Sequence, residues 1–245
     1  MTAPADWIEP DWPAPRQVRA LVTTRSGGVS RGPYASLNLG TRVGDDERAV
    51  AENRARLRAL LPSEPRWLQQ VHGTDVLQAD AAAAESTADA AFAATPGVVC
   101  AVQVADCLPV LFCDRAGIRV AAAHAGWRGL SAGVLEQTVS SLGVPPDELM
   151  AWLGPAIGPQ KFEVGTDVFE QFTADDPAAS TAFKALHEGK WLADLYALAR
   201  RRLSHAGVTA TFGGGLCTFS DPARFFSHRR DRVTGRQGAF IWIAA

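Results

Sequence analysis

"ADCLPVLFCDRAGIRVAAAHAGWRGL", Ala105 to Leu130, sets two apolar runs of strand length on either side of a "DRAG" segment, Asp114–Gly117. Leu108–Cys113 and Ile118–Ala123 are nearly continuous in apolar residues, as strands buried on both faces require, and Asp-Arg-Ala-Gly suits the turn of a hairpin. Pairing as a hairpin would bring Cys107, ahead of the first strand, and His124, behind the second, to one end of a ladder only about 5 Å wide. A separation of 17 residues would then close to a contact.

Working outward, further strand-like runs are Val18–Thr24, Trp67–Val71, Val98–Val104, Leu149–Leu153, Val208–Phe212 and Ala239–Ile243. The Ala-rich stretch Ala79–Gly97 reads as a partly irregular connection, with a short strand over Asp89–Ala94. Helical spacing of apolar residues predicts helices over Asp45–Leu61, Trp127–Leu142 (closed by Gly143), Asp167–Thr173 and Leu192–Leu203 (followed by Gly207). Helices and strands interleave, with hairpins among the strands, so the expected fold class is α/β with mixed sheets in one domain. No GxGxxG segment follows a strand and opens a helix, which removes the Rossmann reading.

A chain of 245 residues, 47% hydrophobic and 20% charged, is long enough to bury a sizeable core. Its net charge of −2 and pI near 6.2 argue against nucleic acid as a partner. The start, "MTAPADWIEPDWPAP", lacks the basic segment and apolar core of a secretory signal, and no window reaches the roughly 18 apolar residues of a membrane span. The expectation is a cytoplasmic protein, a monomer or small homo-oligomer, with no membrane partner. Four cysteines without a CxxC pair fit neither a disulfide scaffold nor a four-cysteine zinc site. Cys100 and Cys113 read as small core residues, and Cys217 as structural.

Cys107 differs through its neighbours. Five histidines are present, and two of them, His72 in "QVHG" and His124 in "AAHAGW", directly follow apolar runs. Each alone reads more readily as hydrogen-bonded structure than as a ligand. Jointly, two imidazoles and a thiolate form a set suited to Zn²⁺ with a fourth position open. The same atoms also fit a Cys107 nucleophile with His124 as its base, and the sequence leaves both open. Arg25 precedes Gly27-Gly28, Arg128 opens a helix four residues after His124, and Arg229 and Arg230 sit in a basic loop with Arg232 and Arg236. These guanidinium groups are candidates to bind phosphate or an acidic substrate. Asp106 and Glu163 are the candidate carboxylates for moving a proton.

Six ordered segments, "TTRSGGVS…SLNLG", "QVHGTDV", "ADCLPVLF", "AAHAGWRG", "GPAIGP" and "FFSHRRDRVTGRQGAFIWI", resemble the YfiH-type family across nearly the whole chain, Val18 to Ile243. The resemblance implies a single-domain layered α/β sandwich related to putative cysteine hydrolases. It also implies a metal site at His72, Cys107 and His124. The implied activity is zinc-dependent phosphorolysis of adenosine, inosine, guanosine and methylthioadenosine, with adenosine deamination beside it. In the deaminase reading, water attacks the purine C6 and Asp106 or Glu163 moves the proton; in phosphorolysis, Arg25 and Arg128 hold phosphate against the ribose C1′. The family also carries an older reading as a copper polyphenol oxidase, and some members are linked to removal of a wrong amino acid from a peptidoglycan precursor. The few histidines present argue against a multicopper mechanism, and a single borderline-soft site favours zinc over copper. The chain departs from the family pattern at Gln160 and Phe162 (Cys and Tyr expected), His228 (Tyr expected) and Gln237 (Met expected). In the Ala-rich stretch only Ala88-Asp89-Ala90 remains of the usual segment. All three metal ligands are retained.

Overall fold

The computed structural model describes residues 4–81 and 86–245, so positions 82–85 of the Ala-rich stretch lie outside the described residues. A six-stranded sheet forms the middle layer. Its order is β11 (Ala210–Gly213), β7 (Leu149–Leu153), β5 (Leu108–Asp114), β6 (Val120–Ala125), β3 (Ala90–Ala93) and β2 (Val76–Gln78). The four inner strands are antiparallel, while β11 joins β7 and β2 joins β3 in parallel. The expected mixed α/β architecture is thus present. On one face lies a three-stranded antiparallel sheet, β1 (Val18–Val22), β12 (Gln237–Ile243) and β4 (Cys100–Val104).

The period-2 alternation of β5 explains why every one of its residues is buried. Leu108, Val110 and Phe112 point into a core shared with helices α3 (Val134–Leu142) and α5 (Leu195–His205). Leu111 and Cys113 point the other way, onto Val22, Val102 and Ile241 of the second sheet. The two faces therefore make a layered sandwich, sheet on sheet on helices. Asp114 secures the β5–β6 turn by accepting from the backbone N–H groups of Ile118 (2.8 Å) and Arg119 (2.9 Å), and Gly117 takes a positive φ of 69°.

Three expectations need correction. Trp67–Val71 is not a strand; only isolated bridges at Arg66 and Gln69 occur there. Instead the Gln70 side-chain amide bonds to β4 as a peptide group would, donating to Gln103 O and accepting from Gln103 N, both at 2.8 Å. Leu192 belongs to a strand rather than a helix. A small sheet of β8 (Glu163–Gly165), β10 (Lys190–Ala193) and β9 (Phe183–His187) lies there, and Asp194 caps α5 by accepting from the N–H groups of Tyr196 and Ala197.

The helix expected over Trp127–Leu142 is two helices, α2 (Trp127–Ala132) and α3, divided at Gly133 with φ 104°. A Cβ at Gly133 would meet nothing closer than 3.6 Å, so the cost of Gly133→Ala is conformational, about 1–2 kcal/mol. The melting temperature should fall by about 2–4 °C for each kcal/mol. An unchanged melting curve would contradict a break that depends on glycine. The remaining helices are α1 (Glu47–Arg58), capped by Asp46, α4 (Thr166–Thr173) and the short α6 (His228–Asp231). No helix among the described residues is long and apolar enough to cross a membrane.

Candidate metal centre and cavity

The β5–β6 hairpin delivers Cys107 and His124 to one end of the central sheet. Pro109 faces His124 and Leu108 faces Ala125, so Cys107 arrives opposite Gly126. His72 comes from a loop rather than a strand, in the left-handed region at φ 62°, a conformation costing about 1–2 kcal/mol. The loop is held there by Asp89, just ahead of β3. The fully buried Asp89 carboxylate accepts from the backbone N–H groups of Val71 (3.1 Å), His72 (2.9 Å) and Gly73 (2.6 Å). It also accepts from His124 Nδ1 at 2.8 Å. A carboxylate can only accept here, so Nδ1 carries a proton and Nε2 is left to face the cluster.

The ligand atoms of His72, Cys107 and His124 all lie within 4.8 Å of one another, with Cys107 Sγ 3.7 Å from His72 Nε2. Bonds of about 2.0–2.3 Å in a tetrahedron place ligand atoms about 3.3–3.8 Å apart, so the donor set fits a borderline-soft ion with an open position. The surroundings are shaped for this set. A Cβ on Gly126 would lie 2.8 Å from His72 Cδ2 and 2.9 Å from Cys107 Sγ, so only glycine leaves room for the ligands. Burial opposes ionisation of Cys107, but the charge and hydrogen bonds of His124 and His72 outweigh it and pull the thiol down to about 6. Burial likewise works against the His124 charge, and the Cys107 and Asp89 anions overcome it and raise its pKa. The thiolate is thus available as a ligand, and metal binding would release the His124 proton.

The cluster opens into a cavity of about 450 Å³, walled also by Arg42, Arg54, Trp67, Gln69, Gln70, Gln103, Arg128, His228 and Arg236. Four arginines line it, and among the described residues no Asp or Glu does. The sequence-predicted residues divide sharply. Arg128 is exposed at the wall, its guanidinium 4.4 Å from the Trp127 ring.

Arg25 lies elsewhere. Its Nε donates to Ala35 O (2.8 Å) and Nη1 to Pro222 O (3.0 Å), tying distant loops together. Arg230 likewise donates to the carbonyls of Thr218, Phe219 and Phe225. Arg229 donates to Glu163 O at 2.6 Å and, with Glu163 itself, borders a separate surface depression. Asp106, at φ 91°, directs Oδ1 to the Thr218 hydroxyl and Oδ2 to the Arg229 N–H, both at 2.6 Å. Its carboxylate thus clamps α6 to the β5 entrance instead of facing the cavity. The positions that sequence reasoning missed, Asp89 above all, carry one visible signal: an acid inside an apolar strand-like segment, which requires buried partners.

The family model described as multi-copper polyphenol oxidoreductase laccase matches residues 19–244. The chain belongs to this family, of YfiH type. The YfiH-type chain is 60% identical over 238 residues to the purine nucleoside phosphorylase PA4543 of Pseudomonas aeruginosa, covering 97% of this chain and 98% of that protein. It is 57% identical over 239 residues to the purine nucleoside phosphorylase YfiH of Escherichia coli, covering 96% and 98%. The solved structure of the Neisseria meningitidis protein NMB0706 superposes with a TM-score of 0.95 at 52% identity, covering 98% of this chain and 100% of that one. Several coppers would need several donor sets. Among the described residues, this YfiH-type chain has one cluster of His, Cys, Asp or Glu arranged for a metal.

Proposed function

We propose that the protein is a zinc-dependent purine nucleoside phosphorylase, releasing the base of adenosine, inosine, guanosine or methylthioadenosine and leaving the pentose 1-phosphate. The observation that carries the reading is a His/Cys/His cluster able to hold a metal, set in the wall of an arginine-lined cavity that no Asp or Glu among the described residues lines. The naming of the relatives as purine nucleoside phosphorylases supports it. In the reaction a phosphate oxygen bonds to C1′, the C1′–N bond breaks, and the base leaves with a proton.

Zinc at His72, Cys107 and His124 would supply a Lewis acid at the cavity wall. The donor set of one thiolate and two imidazoles suits zinc, and a single centre cannot support the four-electron chemistry of a multicopper oxidase. Asp89 fixes the tautomer and orientation of His124. The arginines concentrate an anion beside the centre, where low dielectric strengthens their pull. Deamination of adenosine has less support in the geometry, because Asp106 and Glu163 are both directed away from the cavity.

Incubation with inosine should release hypoxanthine only when phosphate is present and should cease after zinc removal. Phosphate-independent release, or none, would refute the assignment. A second reading is favoured by one feature: Cys107, His124 and Asp89 also make a nucleophile–base–orienter series. That series would serve an amidase acting on a cell-wall precursor, with Cys107 forming the covalent intermediate. Its mark would be peptide hydrolysis that survives chelation.

A further inference from the structure

The "SLNLG" segment, Ser36–Gly40, contributes nothing to the metal cluster, yet it grips one cavity residue from three sides. Asn38 is fully buried, and its Oδ1 accepts from the Arg236 N–H at 2.9 Å. The Leu39 N–H donates to Arg236 O at 3.1 Å, so both backbone groups of Arg236 are held. Gly40 meets the side-chain stem: a Cβ there would lie 2.9 Å from Arg236 Cγ and 3.3 Å from its Cβ. At the tip, Nη1 donates to Thr234 O (3.1 Å) and Gly235 O (2.9 Å).

These contacts fix the guanidinium at the cavity wall and leave its Nε and Nη2 with no hydrogen-bond partner among the described residues. Neither Arg236 nor Arg42 nor Arg128 pairs with a carboxylate among those residues, whereas Arg56, Arg201, Arg202, Arg224 and Arg230 each do. A partly desolvated cation in no direct ion pair, with the Cys107 and Asp106 charges acting on it only from beyond contact, leaves room for a ligand to supply the missing charge. The Nε–Nη2 edge of a guanidinium is the side that takes two oxygens of a phosphate in parallel hydrogen bonds.

We propose that Arg236 anchors a phosphate-type dianion in this cavity through its Nε–Nη2 edge, with Arg42 and Arg128 completing the positive field. The assignment deepens the phosphorolysis reading, in which the dianion is inorganic phosphate. The same chemistry would take the diphosphate of a nucleotide-linked substrate.

Calorimetric titration of the full metal-loaded chain with inorganic phosphate, and separately with uridine diphosphate, tests it. Arg236→Gln should weaken the bound anion about tenfold to a hundredfold, and Arg236→Lys should restore part of the loss. Gly40→Ala, which keeps the arginine and displaces its stem, should weaken the anion in the same direction. Unliganded melting curves show that each variant is folded, and if Arg236→Gln does not fold, Gly40→Ala decides. In turnover, the KM for phosphate should rise while that for inosine holds. Arg236-dependent affinity for phosphate supports the inorganic source, and dependence confined to uridine diphosphate supports the substrate-borne one. Folded variants that bind both anions like the parent would overturn the assignment, even if phosphorolysis stands. Arg236-dependent phosphate binding without nucleoside cleavage would uphold it while phosphorolysis falls.

Discussion

Cys107→Ala is expected to abolish tight metal retention and phosphorolysis together, with the fold intact. The thiolate is the only anion among the three ligands, and it is the donor that most favours a borderline-soft ion. Removing even the hydrogen-bond partner of a ligand costs roughly 10–100-fold in metal affinity, so loss of the ligand itself should exceed about 100-fold. The folding cost is small, because Cys107 is only half-buried at the cavity wall and the change deletes one atom. Metal analysis after dialysis against a weak chelator, beside base release with and without phosphate, reads both effects. A variant that keeps its metal but loses turnover would point to Cys107 as a nucleophile. One that keeps both would remove Cys107 from the site.

Asp89→Asn should be nearly as damaging, and it should damage stability as well. The carboxylate receives three backbone N–H groups and one imidazole N–H in a site with no water access. An asparagine turns one acceptor oxygen into an NH₂ group that faces those donors. Breaking such a buried pair costs about 3–5 kcal/mol, and freeing the His124 tautomer costs about 10–100-fold in metal affinity.

Acidity adds a second readout. Burial opposes the Asp89 charge, but the His124 and Gly73 hydrogen bonds outweigh it, so its pKa is lowered. A lowered folded pKa means that the contribution is whole above the ordinary carboxylate value of about 4 and is lost as pH falls through the folded value. Below that window the stability gap between parent and Asp89→Asn should narrow. A gap that stays constant through acid, or one that is absent at neutral pH, would show that Asp89 does not carry this load.

Much of the frame is legible in the residues. The apolar runs around Asp114–Gly117 specify a hairpin of two buried strands, because alternation and turn chemistry are local properties. The same holds for α1 and for α4, with caps or apolar spacing at their ends. Leu192 was within reach of the same reasoning, since Asp194 is an ordinary N-cap and marks where α5 begins. Gly133 was less so, because a glycine within a helical pattern is compatible with either a continued or a broken helix. Where a side chain substitutes for a backbone partner, as Gln70 does beside β4, apolar pattern gives the wrong element.

The central hairpin, and through it the placing of Cys107 and His124 at one end of a sheet, is written in local sequence. Register is a consequence of pattern and turn, and both lie within 26 consecutive residues, Ala105–Leu130. Which charged residues serve the cavity is instead a product of long-range packing. Arg25 and Arg236 look alike on paper, each within two positions of a glycine. Arg25 ends on Pro222 O, 197 residues away, while Arg236 is turned to the cavity by Asn38, 198 residues away. The partner of a long flexible cation is set by what folding brings within about 3 Å of its tip, and no local pattern encodes that.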